Sequence, residues 1–115
     1  GGMTETLKIA AMAEAHYKVI APHNPLSPLS TFINVHLAAA IPNFCVLETH
    51  PHNIGVFAAE NDLVTKVLTP VNGMIDLPEG PGWGCDLNFE YLERLTYKPW
   101  HRPFAKRSDG GIDVV

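Results

Sequence analysis

Up to residue 50 the chain alternates between two kinds of apolar pattern. Between Thr4 and His16 the spacing is helical: Leu7, Ala11 and Ala15 share one stripe with Ala10 beside it, while Glu5, Lys8 and Glu14 are polar. This predicts an amphipathic helix over about residues 4–16, with Thr4 as its N-cap and Glu5 next to the positive end of the helix dipole. The run "KVIA" at 18–21 is short and β-branched and reads as a buried strand. "STFINVHLAAAI" predicts a second helix from about Ser30 to Ile41, stopped by Pro42, and "FCVLE" at 44–48 a second buried strand.

Strand, crossover helix and strand make the βαβ unit of a parallel sheet, whose strands are nearly continuous apolar runs because helices cover both faces. Two such strands do not form a stable covered sheet by themselves, and the first helix has no strand before it. The pattern therefore asks for further strands upstream.

From residue 49 the pattern changes. "DLVTKVLTPVNGMIDLP" predicts two extended segments around a hairpin-type turn at Pro70-Val71-Asn72-Gly73. "EGPGWGCDLN" reads as a tight glycine-rich turn, and "NFEYLERL" at 88–95 as a short helix capped by Asn88. The "GPGWG" run lacks the spacing and the preceding strand of a dinucleotide fingerprint.

Composition narrows the partners. The chain has 115 residues, 46% of them hydrophobic, enough for one domain with a core, but only 17% are charged against about 25% in an average soluble protein. Either much of the surface is covered by something else or the chain is part of a longer one. A net charge of −4 argues against nucleic-acid and anionic-membrane partners. The basic cluster Lys98, Arg102, Lys106 and Arg107, interleaved with Trp100 and Phe104, reads as a solvated tail that packs its aromatics. Cys45 and Cys85 fit no disulfide framework and no Cys-x-x-Cys pair, which suits a reducing, cytoplasmic setting. The sequence shows no apolar run near the roughly 20 residues of a membrane span and no signal-peptide pattern.

The candidate chemistry lies in "APHNPLSPLS", residues 21–30. Pro22, Pro25 and Pro28 bias Ala21, Asn24 and Ser27 toward extended geometry, so the His23 imidazole is presented from a stiff turn. Glu48 and His23 each follow the C-terminal end of a predicted parallel strand. Adjacent strands lie about 4.8 Å apart, so as neighbours the two side chains would open onto one mouth, the face where α/β sheets and barrels place ligands and catalysis. The plainer alternative, a loop histidine and a solvated carboxylate, is the commoner outcome of such spacing. "ETHPH" adds His50 and His52, and with His23 these could be drawn as a zinc site, although His-x-His occurs readily on loops. His16 and His36 on helices and His101 in the tail read as packing or surface residues.

Taken in order, "GGMTETLKIAAMAEAH", "APHNPLSPLS", "HLAAAIPNF" and "CVLE" closely resemble the last third of the barrel domain in the mandelate-racemase subgroup of the enolase superfamily, nearest to sugar-acid dehydratases of the galactonate dehydratase type. After residue 52 the resemblance is looser, although "TPVNGMIDLPEGPGWGCDL" is similar to that family's C-terminal return segment, with Trp83 where leucine is commoner. The resemblance implies an α/β fold: residues 1–52 as the end of a TIM-type (β/α)7β barrel and residues 53–115 as the segment returning to a capping domain.

It also implies a chemistry, in which a Mg²⁺-bound sugar acid loses its α-proton to give an enediolate. By position His23 matches the base at the end of the seventh strand. Glu48 matches the carboxylate after the eighth, which helps bind the substrate carboxylate and stabilise the enediolate, and Asn24 and His50 complete the expected substrate-binding set. The family's metal carboxylates, its general acid and the Asp that orients its base would all precede Gly1, so the resemblance implies a C-terminal piece of a dehydratase, inactive alone and oligomeric as the whole enzyme. The alternatives are a racemase or cycloisomerase of the same superfamily, or a non-catalytic metal-binding or interaction fragment.

Overall fold

The computed structural model describes residues 2–25, 27–49, 62–99 and 107–111. Its helices are α1 (Gly2–Glu14), α2 (Pro28–Ala40) and α3 (Phe89–Arg94).

Helix α1 begins upstream of the expected cap. Gly2 starts it, so Thr4 lies in the first turn instead of capping it, and the Thr6 hydroxyl donates back to the Gly2 carbonyl at 2.8 Å. At the other end the Lys18 N–H donates to the Ala13 carbonyl (2.9 Å) and the Tyr17 N–H to the Glu14 carbonyl (2.8 Å). This paired closure puts Tyr17 in the left-handed region at φ 55, a position where glycine is usual. The buried stripe also differs from the expected one. Ala10 is buried and Met3, Thr6 and Ala13 are half-buried, whereas Leu7, Ala11 and Ala15 are exposed. Both stripes are largely apolar, so periodicity could not choose between them; contact with α2 does.

Helix α2 starts at Pro28, two residues before the expected Ser30. Ser27 is its N-cap, with extended backbone and a side-chain oxygen accepting from the Ser30 N–H at 3.2 Å. Pro28, expected in the loop, is the first helical residue, where its missing N–H leaves nothing unpaired. The helix ends at Ala40 with Ile41 as C-cap, just before Pro42. Its inner face supplies Leu37 to a core with Ala10 and Ile41, against which Met3, Ile20 and Phe44 pack. Burying a leucine in this way contributes about 1.5–3 kcal/mol.

Ile20 and Phe44 form a parallel bridge across α2. The Ile20 N–H donates to the Asn43 carbonyl (2.8 Å) and the Cys45 N–H to the Ile20 carbonyl (2.9 Å), and the Asn43 amide holds the carbonyls of Ala10 and Lys18, each at 3.0 Å. The crossover is the expected one, but neither segment is a buried strand: pairing stops at the bridge, and Val19 and Val46 are 64% and 58% exposed. Apolar runs of this kind become buried strands only when neighbours cover both faces.

Beyond residue 61 the hairpin turn is as expected. Val71 and Met74 form an antiparallel bridge around Asn72 and Gly73, both with positive φ (52 and 78), as a type I′ turn requires. A second antiparallel bridge joins Val64 to Leu87. Gly84 closes the glycine-rich turn where a Cβ would lie 2.8 Å from the Pro78 Cβ, so a side chain there has no room. Asn88 caps α3, accepting from the Tyr91 N–H at 3.1 Å. Lys98 and Arg107 are exposed; Trp100, Arg102, Phe104 and Lys106 of the expected tail lie outside the described residues.

The surface is larger than the chain's mass calls for. An accessible area of 8907 Å² compares with about 6,200 Å² for a compact monomer of this size, and a radius of gyration of 17.3 Å with about 13 Å. Exposed Ile9 and Met12 on α1 and Met74 and Leu77 after the hairpin account for part of the difference. No helix among the described residues is long and apolar enough to cross a membrane.

Candidate active site

The Ile20–Phe44 bridge sets two chain segments side by side, and a few residues beyond it on each lie His23 and Glu48. In the loop that leaves Ile20, Pro22 and Asn24 are buried while His23 between them is exposed, the alternation of extended backbone. The imidazole thus faces outward from a loop whose two flanking residues are buried.

His23 Nδ1 lies 2.5 Å from Glu48 Oε2, and the Asn24 backbone N–H donates to the same oxygen at 3.0 Å. A carboxylate on Nδ1 holds the proton there, which fixes the tautomer and presents the lone pair of Nε2. The two side chains are 79% and 50% exposed, and a polar contact so open to water contributes little to stability. Its geometry therefore depends on the backbone that carries it.

That backbone is tied down by Asn24, whose residue is 2% exposed. Its Nδ2 donates to Thr31 Oγ1 at 3.0 Å, and its Oδ1 accepts from Asn34 Nδ2 at 3.3 Å. Asn24, expected among the substrate-binding residues, thus has its side chain committed to α2 behind the site, with its backbone N–H facing Glu48. Thr31 and Asn34 were not singled out in the sequence; the available signal was two polar residues three apart on one face of a mostly apolar helix.

A cavity of about 400 Å³ opens beside His23, lined by Thr6 of α1, by Ser27, and by Ser30, Ile33 and Asn34 of α2. That volume and mixed lining suit a small polar molecule. His50 and His52 lie outside the described residues, and so does the zinc arrangement drawn from them. Among the described residues no three histidine, cysteine, aspartate or glutamate side chains converge, so these residues do not fit a Mg²⁺ site by themselves. His36 is half-buried against the glycine turn, its Nε2 3.1 Å from the Trp83 carbonyl oxygen. Cys45 and Cys85 are free thiols.

Residues 1–92 match the family described as enolase C-terminal domain-like. Over 93 residues the chain is 41% identical to a D-xylonate dehydratase of Haloferax volcanii, covering 81% of this chain and 22% of that protein. Over 120 aligned positions it is 36% identical to a D-galactonate dehydratase of Xanthomonas euvesicatoria, covering 97% of this chain and 31% of that one. The backbone is similar to the crystal structure of an enolase from Agrobacterium radiobacter with sodium and L-malate bound (TM-score 0.79, 34% identity, 93% of this chain and 30% of that one). It is also similar to a Burkholderia xenovorans protein bound to magnesium and fumarate (TM-score 0.71, 40% identity, 80% and 22%). The chain spans 22% and 31% of the length of these two dehydratases. On the match over residues 1–92, this chain belongs to the enolase C-terminal domain-like family.

Proposed function

We propose that this chain is the closing part of the (β/α)7β barrel of a Mg²⁺-dependent sugar-acid dehydratase, with residues 1–52 ending the barrel and residues 53–115 returning toward a capping domain. The observation that carries the reading is the contact of His23 Nδ1 with Glu48 Oε2. It leaves Nε2 as the proton acceptor at the mouth where a substrate's α-carbon would lie. As Nε2 takes the proton, Glu48 at the same mouth is the group that binds the substrate's carboxylate and stabilises the enediolate, while the Asp that orients the base is read as lying upstream.

The Mg²⁺ ligands are read, as the family resemblance implies, as lying upstream of residue 1 in the whole protein. The magnesium bound to the Burkholderia protein supports a divalent metal in such a site. The names of the Haloferax and Xanthomonas relatives support a sugar acid as substrate. The large apolar exposure supports a chain covered by further barrel elements; we read the whole enzyme as cytoplasmic and oligomeric.

The test is product analysis. The whole protein is incubated with Mg²⁺ and a panel of aldonic acids that includes xylonate, galactonate, gluconate and mannonate. Loss of water to a 2-keto-3-deoxy acid from at least one of them is expected, with no turnover by the 115-residue chain alone. Epimerised substrate with no dehydrated product would make it a racemase.

A further inference from the structure

We infer that Asn72 is a self-modification site, whose side chain cyclises onto the Gly73 backbone nitrogen and then hydrolyses to leave aspartate and isoaspartate in the hairpin turn. Asn72 alone among the chain's asparagines is followed by glycine. Gly73 brings no side chain to hinder the approach, and a Cβ built there would meet nothing within 4 Å, so the ring has room to form. Both residues are exposed. The bonds that close the hairpin join Val71 and Met74, at 2.8 and 3.0 Å, and among the described residues no hydrogen bond engages the Asn72 amide or the Gly73 N–H. The other described asparagines are held. Asn24 Nδ2 donates to Thr31, Asn34 Nδ2 to Asn24, Asn43 Nδ2 to the carbonyls of Ala10 and Lys18, and Asn88 Oδ1 accepts from the Tyr91 N–H. Asn24 also precedes Pro25, whose nitrogen has no proton to give up. Asn53 and Asn61 lie outside the described residues.

The step needs no co-reactant but water. The Gly73 nitrogen, once hydroxide has taken its proton, attacks Asn72 Cγ; a nitrogen–carbon bond forms, the bond from Cγ to the side-chain nitrogen breaks, and ammonia leaves. Water then opens the five-membered ring. Attack at the side-chain carbonyl restores the main chain and gives aspartate, whereas attack at the main-chain carbonyl gives isoaspartate, with the chain continuing through Cβ and Cγ. What resists the rotation of Asn72 into a ring is the Val71–Met74 bridge, an isolated pair whose residues are 66% and 71% exposed. Opening so little buried structure costs little. Isoaspartate lengthens the main chain by one methylene and adds a carboxylate, so the two-residue loop that a type I′ turn demands is lost. The hairpin then unpairs beside a cavity of about 450 Å³ that Gly73, Met74 and Leu77 share with Val35 of α2 and Phe44.

The test incubates the whole protein in mildly alkaline buffer, digests it at intervals and assigns each mass change to a residue by fragmentation. Asn72 should lose ammonia first and then show the mass gain of one deamidation, divided between aspartate and isoaspartate forms, while Asn34, Asn43 and Asn88 are still intact. The rate should rise with hydroxide concentration. Isomerisation at Asp109-Gly110 changes no mass and does not enter the reading. Asn72→Gly keeps the turn, because Gly-Gly also forms type I′, and should abolish the gain. In the isoaspartate form, separated by chromatography, the Met74 amide should exchange in D2O faster than in the unmodified protein. An Asn72 that stays intact over the time in which the urea-unfolded protein reacts would overturn the inference, and this arm needs no variant to fold. A mass gain at this turn that persists in Asn72→Gly would overturn it as well. A Met74 amide equally protected in both forms would overturn the unpairing of the hairpin.

Discussion

His36 on α2 and Trp83 in the glycine-rich turn hold one another twice. The histidine Nε2 lies 3.1 Å from the Trp83 carbonyl oxygen, and the two rings meet with centroids 5.5 Å apart at 58°. Through this contact the turn between the Val64–Leu87 bridge and the hairpin is fixed against the helix that also grips the His23 loop.

Trp83→Leu should therefore loosen the turn. It keeps an apolar side chain but removes the ring contact, and a loss of about 0.5–1.5 kcal/mol is expected for such a pair. Urea unfolding measures it, and an unchanged midpoint would mean that the ring contact contributes nothing.

Tyr17 offers the opposite case. It is 99% exposed and holds a left-handed φ of 55 at the end of α1, so replacing it forfeits almost no packing. Tyr17→Gly should raise stability by about 0.5–1 kcal/mol, less than the full 1–2 kcal/mol of left-handed strain because glycine is freer when unfolded. A lower thermal midpoint would contradict this.

Two leucines test which face of α1 is turned toward α2: Leu37 of α2 packs with Ala10, and Leu7 of α1 lies on the expected stripe. Leu37 is fully buried and Leu7 is exposed. Leu37→Ala should cost about 2–5 kcal/mol, and Leu7→Ala no more than about 1 kcal/mol, because a partly exposed leucine has little burial to lose. Equal losses would place α1 the other way round.

Those same leucines show how far the sequence could be read. Capping residues and prolines act locally, so the ends of α2 and α3 and the turn at Asn72-Gly73 were legible to within a residue or two. Which side of α1 is buried was not, since Leu7 and Met3 are both apolar and only α2 decides between them. The neighbourhood of His23 and Glu48 was legible because a parallel crossover puts two strand ends together. The network behind them was not, because Asn24, Thr31 and Asn34 meet only once α2 has folded back on the loop.

Cys85 gives a dependence on pH. Burial pushes its thiol above the ordinary value, Asp86 adds to the rise and Lys66 opposes it. The unfolded chain therefore releases this proton first. The stability the thiol contributes is complete below the unfolded value of about 8.5 and is lost as pH rises through the higher folded value. At pH 8 alkylation of Cys85 should be slower than that of free cysteine, and its rate should still be climbing where that of free cysteine has levelled off. A rate that levels earlier would contradict the shift.

The most direct measurement of the central claim is α-proton exchange. The whole protein, its sugar acid and Mg²⁺ are placed in D2O, and deuterium incorporation at the substrate's α-carbon is followed by NMR for the unaltered protein and for His23→Asn. Exchange in the first and its loss, by at least about 100-fold, in the second is the expected result for a general base. Exchange that continues unchanged in His23→Asn would show that another group removes the proton and that the outward imidazole of this loop is not the base.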